Sequence, residues 1–329
     1  MSLLVVKDLE VTYPVDSSSL FGRKRSVQAV RGVSFEIGPG ETRGVVGESG
    51  CGKSSIAKCL VRLNDASKGS IRYRGQEIAS LRGAKLKAYR RAVQMVFQDP
   101  FGSLNPKLTI GDSIAEGMEV HALHSDPKLV RNEVLSLLER VGLSGDAADR
   151  FPREFSGGQR QRIGIARALA VRPELIVCDE PVSALDVSVQ AQIVNLLQSL
   201  QQETQISYLF ITHDLAVVEH LSHRIVVMYL GKVVEEGPAR EVVARPQHPY
   251  TKALVAAVPG RHQSRGEDAA ATLSGDVPSP LKPPLGCAFH QRCPLAEARC
   301  REQDPSLENS GEERQVACHL VAKEATLGS

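Results

Sequence analysis

Residues 41–55 read ETRGVVGESGCGKSS, a short apolar strand that breaks into a glycine-rich turn and then into the first turn of a helix. The turn fits G-x-x-x-x-G-K-[ST] at Gly47, Gly52, Lys53 and Ser54, and each fixed position has a physical job. Glycine carries no Cβ, so Gly47, Gly50 and Gly52 let the backbone take positive φ and bring N–H groups against phosphate oxygens. A helix beginning near Lys53 adds its positive N-terminal end. Lys53 can reach between β- and γ-phosphates as a point charge, and the Ser54 hydroxyl is placed to ligate Mg²⁺. A loop of this composition can also be a plain connection. Here Val45-Val46 before it and SSIAKCLVRL after it supply the strand and the helix that a phosphate cradle requires. Glu48, Ser49, Cys51 and Ser55 complete the nucleotide-contacting stretch.

On either side of the cradle the pattern is that of alternating strands and helices. Residues 3–13 and 27–37 are rich in valine and alternate as strands. The connection PVDSSSLFGRKRS between them is polar and basic, and its triplet Arg23-Lys24-Arg25 reads as a solvated loop. GSIRYRGQEI reads as an edge strand, and VQMVFQDP, residues 93–100, as a buried strand ending in Gln98. From 101 to 155 helices replace strands: KLVRNEVLSLLERVGL places Leu129, Val130, Val134, Leu137, Leu138 and Val141 on one face. FSGGQRQRIGIARALAVR follows, with Ser156 as N-cap and Ile163, Ala166 and Ala170 facing inward, and Pro173 closes that helix. ELIVCDEP is a continuous apolar run closed by Asp179 and Glu180, the mark of a central parallel strand covered on both faces. Carboxylates at such a tip point to where open α/β sheets bind ligands. Helix VSVQAQIVNLLQSLQQ, strand SYLFIT ending at His213-Asp214, the pair RIVVMYLGKVVEEG and helix PYTKALVAAV complete a doubly wound fold near Val258.

Composition narrows the class. The chain has 329 residues, 42% of them hydrophobic and 24% charged, with a formal net charge of +2. That charge is too small to argue for nucleic acid. There is no apolar run of about 18 residues, and MSLLVVKDLE meets charge at Lys7 and Asp8, so neither a spanning helix nor a secretory leader is read and the chain is expected in the cytosol. Residues 259–286 have the Pro, Gly, Ser and Ala content of a linker. Cys51, Cys59 and Cys178 read as small apolar core residues. Cys287, Cys293, Cys300 and Cys318 instead crowd into residues 287–329, with spacing C-x₅-C-x₆-C-x₁₇-C. In a tail so poor in apolar residues, a ligated metal could stand in for a core. Four thiolates suit a [4Fe–4S] cluster or structural Zn²⁺, and the spacing excludes neither.

Phosphoryl transfer to water needs phosphates held, charge neutralised and a water oriented. Ser54 and Asp179 can ligate Mg²⁺, Gln98 can touch both metal and water, Glu180 can polarise the attacking water, and His213 can hydrogen-bond the γ-phosphate. Taken alone, His213 would be an ordinary strand-end histidine, and Tyr13 a surface strand tyrosine.

On these residues the chain resembles the ATPase subunit of an ABC transporter of the oligopeptide/dipeptide importer group. FSGGQRQR resembles the ABC signature at Ser156, Gly157, Gly158 and Gln159. Around it stand Gln98 as the Q-loop residue, CDEP as the second Walker motif, SALD ending in Asp186, and His213 as the switch histidine. QDPFGSLNP and the final cysteines point to the peptide-importer subgroup. The resemblance implies a P-loop ABC-type ATPase domain at 1–258, with a RecA-like core, an antiparallel β part and an inserted helical subdomain at about 101–165. A linker at 259–286 and a small cysteine-rich region at 287–329 follow. It also implies ATP and Mg²⁺ as cofactors, Tyr13 as the adenine-stacking residue, and Glu180, His213, Gln98 and Lys53 as catalytic residues. A second ABC ATPase subunit, similar or identical, completes each ATP site. Two transmembrane permease subunits and an extracytoplasmic binding protein are the further partners, and the chain sits peripherally on the cytoplasmic face of the inner membrane. For the four cysteines it favours [4Fe–4S] over Zn²⁺. Two departures are visible: Ser54-Ser55 where the family often has Ser-Thr, and Arg43 at a strand position usually apolar, which calls for a solvated side or a local partner. The competing class is a soluble ABC ATPase acting on DNA or on the ribosome. DNA-repair relatives insert long coiled coils between cradle and signature, where this chain has about a hundred residues of modest helices. Ribosome-acting relatives carry two ATPase domains in one chain.

Overall fold

In the computed structural model, strand β1 (Leu4–Val15) pairs antiparallel with β2 (Arg25–Ile37), and β3 (Thr42–Val46) then runs into the glycine loop and helix α1 (Lys53–Leu60). The described residues are 2–15, 25–258, 275–311 and 313–321; most of the basic connection at 14–26 and the first part of the 259–286 linker lie outside them. A hairpin of β4 (Lys68–Tyr73) and β5 (Gln76–Glu77) turns at Arg74-Gly75, both with positive φ, and places β4 beside β1 with β5 at the sheet edge. Helix α2 (Gly83–Ala92) leads to β6 (Val93–Val96). A helical layer of α3 (Ile110–Val120), α4 (Pro127–Arg140) and α5 (Gly157–Leu169) follows. Then come β7 (Leu175–Asp179), α6 (Val187–Thr204), β8 (Ser207–Thr212), α7 (Leu215–Leu221), β9 (Arg224–Tyr229), β10 (Lys232–Pro238), α8 (Ala239–Ala244) and α9 (Pro249–Ala256). The tail contributes α10 (Ala298–Glu302), β11 (Glu308–Asn309) and β12 (Gln315–Val316).

The strands form two sheets. One runs β2-β1-β4-β5, the other β11-β12-β10-β9-β3-β8-β7-β6, with β9, β3, β8, β7 and β6 mutually parallel. Side chains alternate across a strand, so each parallel strand feeds two cores. Ile176, Cys178, Tyr208 and Phe210 enter the core under the helical layer, while Leu175, Val177, Leu209 and Ile211 enter the core between the sheets, which also holds Ile56 and Leu60 of α1. All ten residues of β3 and β7 are buried. That double burial explains why ELIVCDEP reads as an unbroken apolar run.

Two local expectations are modified and a third, at Arg43, is met. On α4, Val134, Leu137 and Leu138 are buried, but Leu129 is 51% exposed, because it sits in the first turn beyond the edge of the packed face. Arg43, though on a wholly buried strand, has local partners: Glu41 at 3.1 Å and Glu236 at 4.0 Å. The tail does not lack a core. Phe289 is 2% exposed and packs against Tyr229, Tyr250 and His248 at ring-centroid distances of 5.2, 5.4 and 5.8 Å. Burying a side chain of that size contributes roughly 1.5–3 kcal/mol. β12 extends the main sheet by pairing with β10, and Arg314 reaches the fully buried Glu235 at 2.5 Å.

Candidate nucleotide site

The C-terminal ends of the neighbouring strands β3, β8, β7 and β6 release, in turn, the glycine loop, His213, Asp179-Glu180 and Gln98. Parallel register fixes this convergence: Val46 lies beside Thr212, Asp179 beside Ile211, and Val96 beside Cys178. Four motifs dispersed over some 170 residues of chain therefore meet at one sheet edge.

In the cradle, Gly50 and Gly52 have φ of +80° and +105°, the left-handed region open to glycine. Gly47 differs from the expectation: its φ is not positive, and the reason for glycine there is close approach, since a Cβ would lie 2.2 Å from the Met228 carbonyl oxygen. Gly52 ends the loop as N-cap of α1 without any side-chain cap, so the first N–H groups of the helix are left for an anion. Lys53 is 3% exposed, and its Nζ donates to the carbonyls of Gly47 at 2.6 Å and Glu48 at 3.1 Å.

Around Lys53 the acidic groups are arranged by contact. Ser54 Oγ donates to Asp179 Oδ1 at 2.9 Å. Burial raises the Asp179 carboxyl above its ordinary range, the Ser54 bond opposes the shift, and neighbouring Glu180 adds to it. A cation here would oppose that burial cost, and the hard oxygen donors of Ser54, Asp179 and Gln98 suit Mg²⁺. Glu180 Oε2 accepts from Gln98 Nε2 at 3.0 Å and lies 3.7 Å from His213 Nδ1, while Oε1 lies 3.6 Å from Lys53 Nζ. Glu180 adopts φ +45°, a region L-residues seldom occupy, held by its N–H to Ile211 O at 2.9 Å and its carbonyl to Ser183. Strain of this kind costs on the order of 1–3 kcal/mol and clusters at functional residues.

Other expected residues lie apart. Tyr13 Oη accepts from Asn64 Nδ2 at 2.8 Å, which fixes its ring at the end of β1. Ser156 caps α5 in a reciprocal box with Gln159, the two bonds being 2.9 and 3.3 Å. Gly158 packs on the start of α6, where a Cβ on it would lie 2.5 Å from Val189 Cγ1, Gly157 faces Leu185 just before that helix, and Asp186 caps the helix through Val189 N–H at 2.9 Å. The bonds of Ser156 are thus local, whereas those of Lys53 stay in the loop.

The [4Fe–4S] or Zn²⁺ expectation at the four tail cysteines finds no support. All four are free thiols, and burial, with the other three nearby, raises Cys287 to about 11. Among the described residues, however, no group of three or more His, Cys, Asp or Glu side chains is disposed to hold a metal ion. One premise of that expectation, a tail without a core, does not hold, because Phe289 and Val316 supply that tail with one. Cys51, Cys59 and Cys178 are buried, their thiols pushed up by desolvation, as suits small apolar residues.

Fold and site together define a P-loop ATPase of the ABC type. The family model for the ABC transporter matches residues 30–183, and that for the oligopeptide/dipeptide transporter C-terminal region matches residues 234–300. The chain is 53% identical to a probable peptide ABC transporter ATP-binding protein of Sinorhizobium fredii, over 98% of this chain and 91% of the other. It is 50% identical to an oligopeptide transport ATP-binding protein of Bacillus subtilis, over 98% of both chains. Against a solved ATP-binding cassette, a dimer in a post-hydrolysis state bound to ADP and phosphate, the TM-score is 0.64 at 28% identity, covering 72% of this chain and 99% of that one. The chain belongs to the ATP-binding proteins of the oligopeptide/dipeptide ABC transporter family. It is an ATP-hydrolysing enzyme. Among the described residues no helix is long and apolar enough to cross a membrane.

Proposed function

We propose that the chain hydrolyses ATP to drive import of peptides through two transmembrane partner subunits, from the cytoplasmic face of the membrane and with an extracytoplasmic binding protein delivering substrate. The observation that carries the chemistry is Glu180 held by Gln98 and flanked by Lys53 and His213 at adjacent strand tips. Mg²⁺, held by Ser54, Asp179 and Gln98, supplies charge neutralisation on the phosphates. Lys53 binds the β- and γ-phosphates, Tyr13 stacks on adenine, and His213 donates to a γ-phosphate oxygen. Glu180 takes a proton from water as the water oxygen bonds to the γ-phosphorus and the bond to ADP breaks. Reconstituted with its membrane subunits in vesicles, the chain should accumulate labelled short peptides only when ATP is supplied on the ATPase side. Uptake indifferent to ATP would refute the reading. DNA or ribosome action has no comparable support, since the full-length relatives are peptide-transport ATP-binding proteins.

In this reading two ATPases join head to tail, as the family resemblance implies, and Ser156 and Gly158 of each chain serve the γ-phosphate held by the partner. Sedimentation of Glu180→Gln protein with ATP and its membrane subunits should give two ATPases per complex, and one per complex would defeat the sandwich. The dock for a membrane subunit is the helical subdomain. A groove of about 450 Å³ between β6 and α3, lined in part by Leu63, Phe97 and Val120, leaves those apolar side chains 57%, 37% and 55% exposed. Gln98, one residue beyond Phe97, connects that groove to Glu180. Cysteine cross-links from residues 101–106 should reach a membrane subunit, and their failure would count against the dock.

A further inference from the structure

A side chain of the tail reaches the phosphate loop. Arg292, in GCAFHQRCP at 286–294, forms a forked pair with Glu48 of the glycine loop: Nη1 to Oε2 at 2.7 Å and Nη2 to Oε1 at 3.1 Å. Its side chain is 5% exposed and that of Glu48 24%, so the pair is largely shielded from water. Arg292 Nη1 also donates to Tyr229 Oη at 3.4 Å. The backbone of Glu48 is fixed as well. Its N–H donates to Tyr250 Oη at 2.9 Å, and its carbonyl accepts from Lys53 Nζ. Tyr229, Tyr250 and Phe289 pack together with centroids 4.8 to 5.4 Å apart. The tail and the loop are therefore one packed unit at this point.

The charge at this position matters because Glu48 directly follows the first glycine of a cradle built for polyphosphate. An unpaired carboxylate there would repel the incoming nucleotide, and weakly screened surroundings lengthen the reach of that repulsion. A forked guanidinium both cancels the charge and sets the direction of the carboxylate, which a lysine ammonium does only in part. We infer that Arg292 is a positioning residue for nucleotide binding, which neutralises Glu48 and holds the start of the phosphate loop so that the C-terminal region sets affinity for ATP and ADP. Arg292 acts through Glu48 and does not touch the nucleotide. The inference rests on residues 47–54 being the nucleotide cradle.

The test is equilibrium binding of ATP, ADP and adenosine to the full chain and to Arg292→Gln, Arg292→Lys and the double variant Glu48→Gln/Arg292→Gln, with thermal melting of each without nucleotide. Arg292→Gln should weaken ATP and ADP by about tenfold, leaving adenosine, which carries no phosphate, within about twofold. Arg292→Lys keeps the charge and should stay within about threefold of the parent, and the double variant, having no unpaired carboxylate, should recover to a similar range. The double variant and Arg292→Lys also keep the test alive if Arg292→Gln does not fold. Unchanged ATP affinity in Arg292→Gln would overturn the inference. So would equal losses for ATP and adenosine without recovery in the double variant, since that marks a packing role alone. A parent chain that binds no ATP would bring down the cradle reading itself, a failure separate from either of these.

Discussion

Glu180→Gln should keep ATP bound while lowering turnover at least about 10²-fold, the usual contribution of a positioned general base. The substitution preserves shape, and an amide oxygen can still accept from Gln98 Nε2, so the strained backbone at φ +45° and its bonds to Ile211 and Ser183 have no reason to relax. What is removed is the negative charge, and with it the basicity, of the carboxylate beside His213 and Lys53. The proposed phosphate and metal ligands, Lys53, Ser54 and Asp179, are untouched, which is why binding and chemistry should separate. Single-turnover hydrolysis beside equilibrium ATP binding measures both. A variant hydrolysing at the parent rate would move the base elsewhere, with His213 as the nearest candidate.

The strand tips could be read from sequence because their signals are local and strong. A glycine-rich turn after a valine strand, or CDE after three apolar residues, specifies both the element and the chemistry at its end, and parallel pairing then brings Gln98, Glu180 and His213 together without further information. The same holds for Ser156 as a cap, since capping is decided within three residues. Long-range features were not readable in this way. Phe289 and Arg292 are a lone aromatic and a lone cation in a stretch without periodicity, so nothing in their neighbours tells that one packs on Tyr229 and Tyr250 and the other on Glu48. Counting apolar residues made the tail look coreless, which was one ground, beside the family resemblance, for reading a metal at its cysteines. The tail instead shares the core of the main sheet. Gly47 shows a finer limit: sequence calls for glycine, but only the structure tells that closeness to Met228 O, and not positive φ, is the reason.

Lys53→Ala should fail in the complementary way, losing ATP before chemistry is reached. In the cradle the ammonium is held by the Gly47 and Glu48 carbonyls, with the residue 3% exposed and Glu180 Oε1 at 3.6 Å. This poses a positive charge on the loop axis. A hydrogen bond to a charged group contributes about 1.5–3 kcal/mol, so ATP affinity should fall by roughly 10- to 150-fold. Alanine also removes the nearest cation from Glu180, which is 8% exposed, so the nucleotide-free protein should melt at a lower temperature. Arginine is no substitute, because its planar fork is larger than the space between two carbonyls that a compact ammonium fills. Measured in a Glu180→Gln background, where ATP is not consumed, the ratio of dissociation constants with and without Lys53 reports binding alone. A ratio within twofold would mean that the loop's backbone and helix α1 hold the phosphates without the lysine, and Lys53 would then be left only its contact with Glu180.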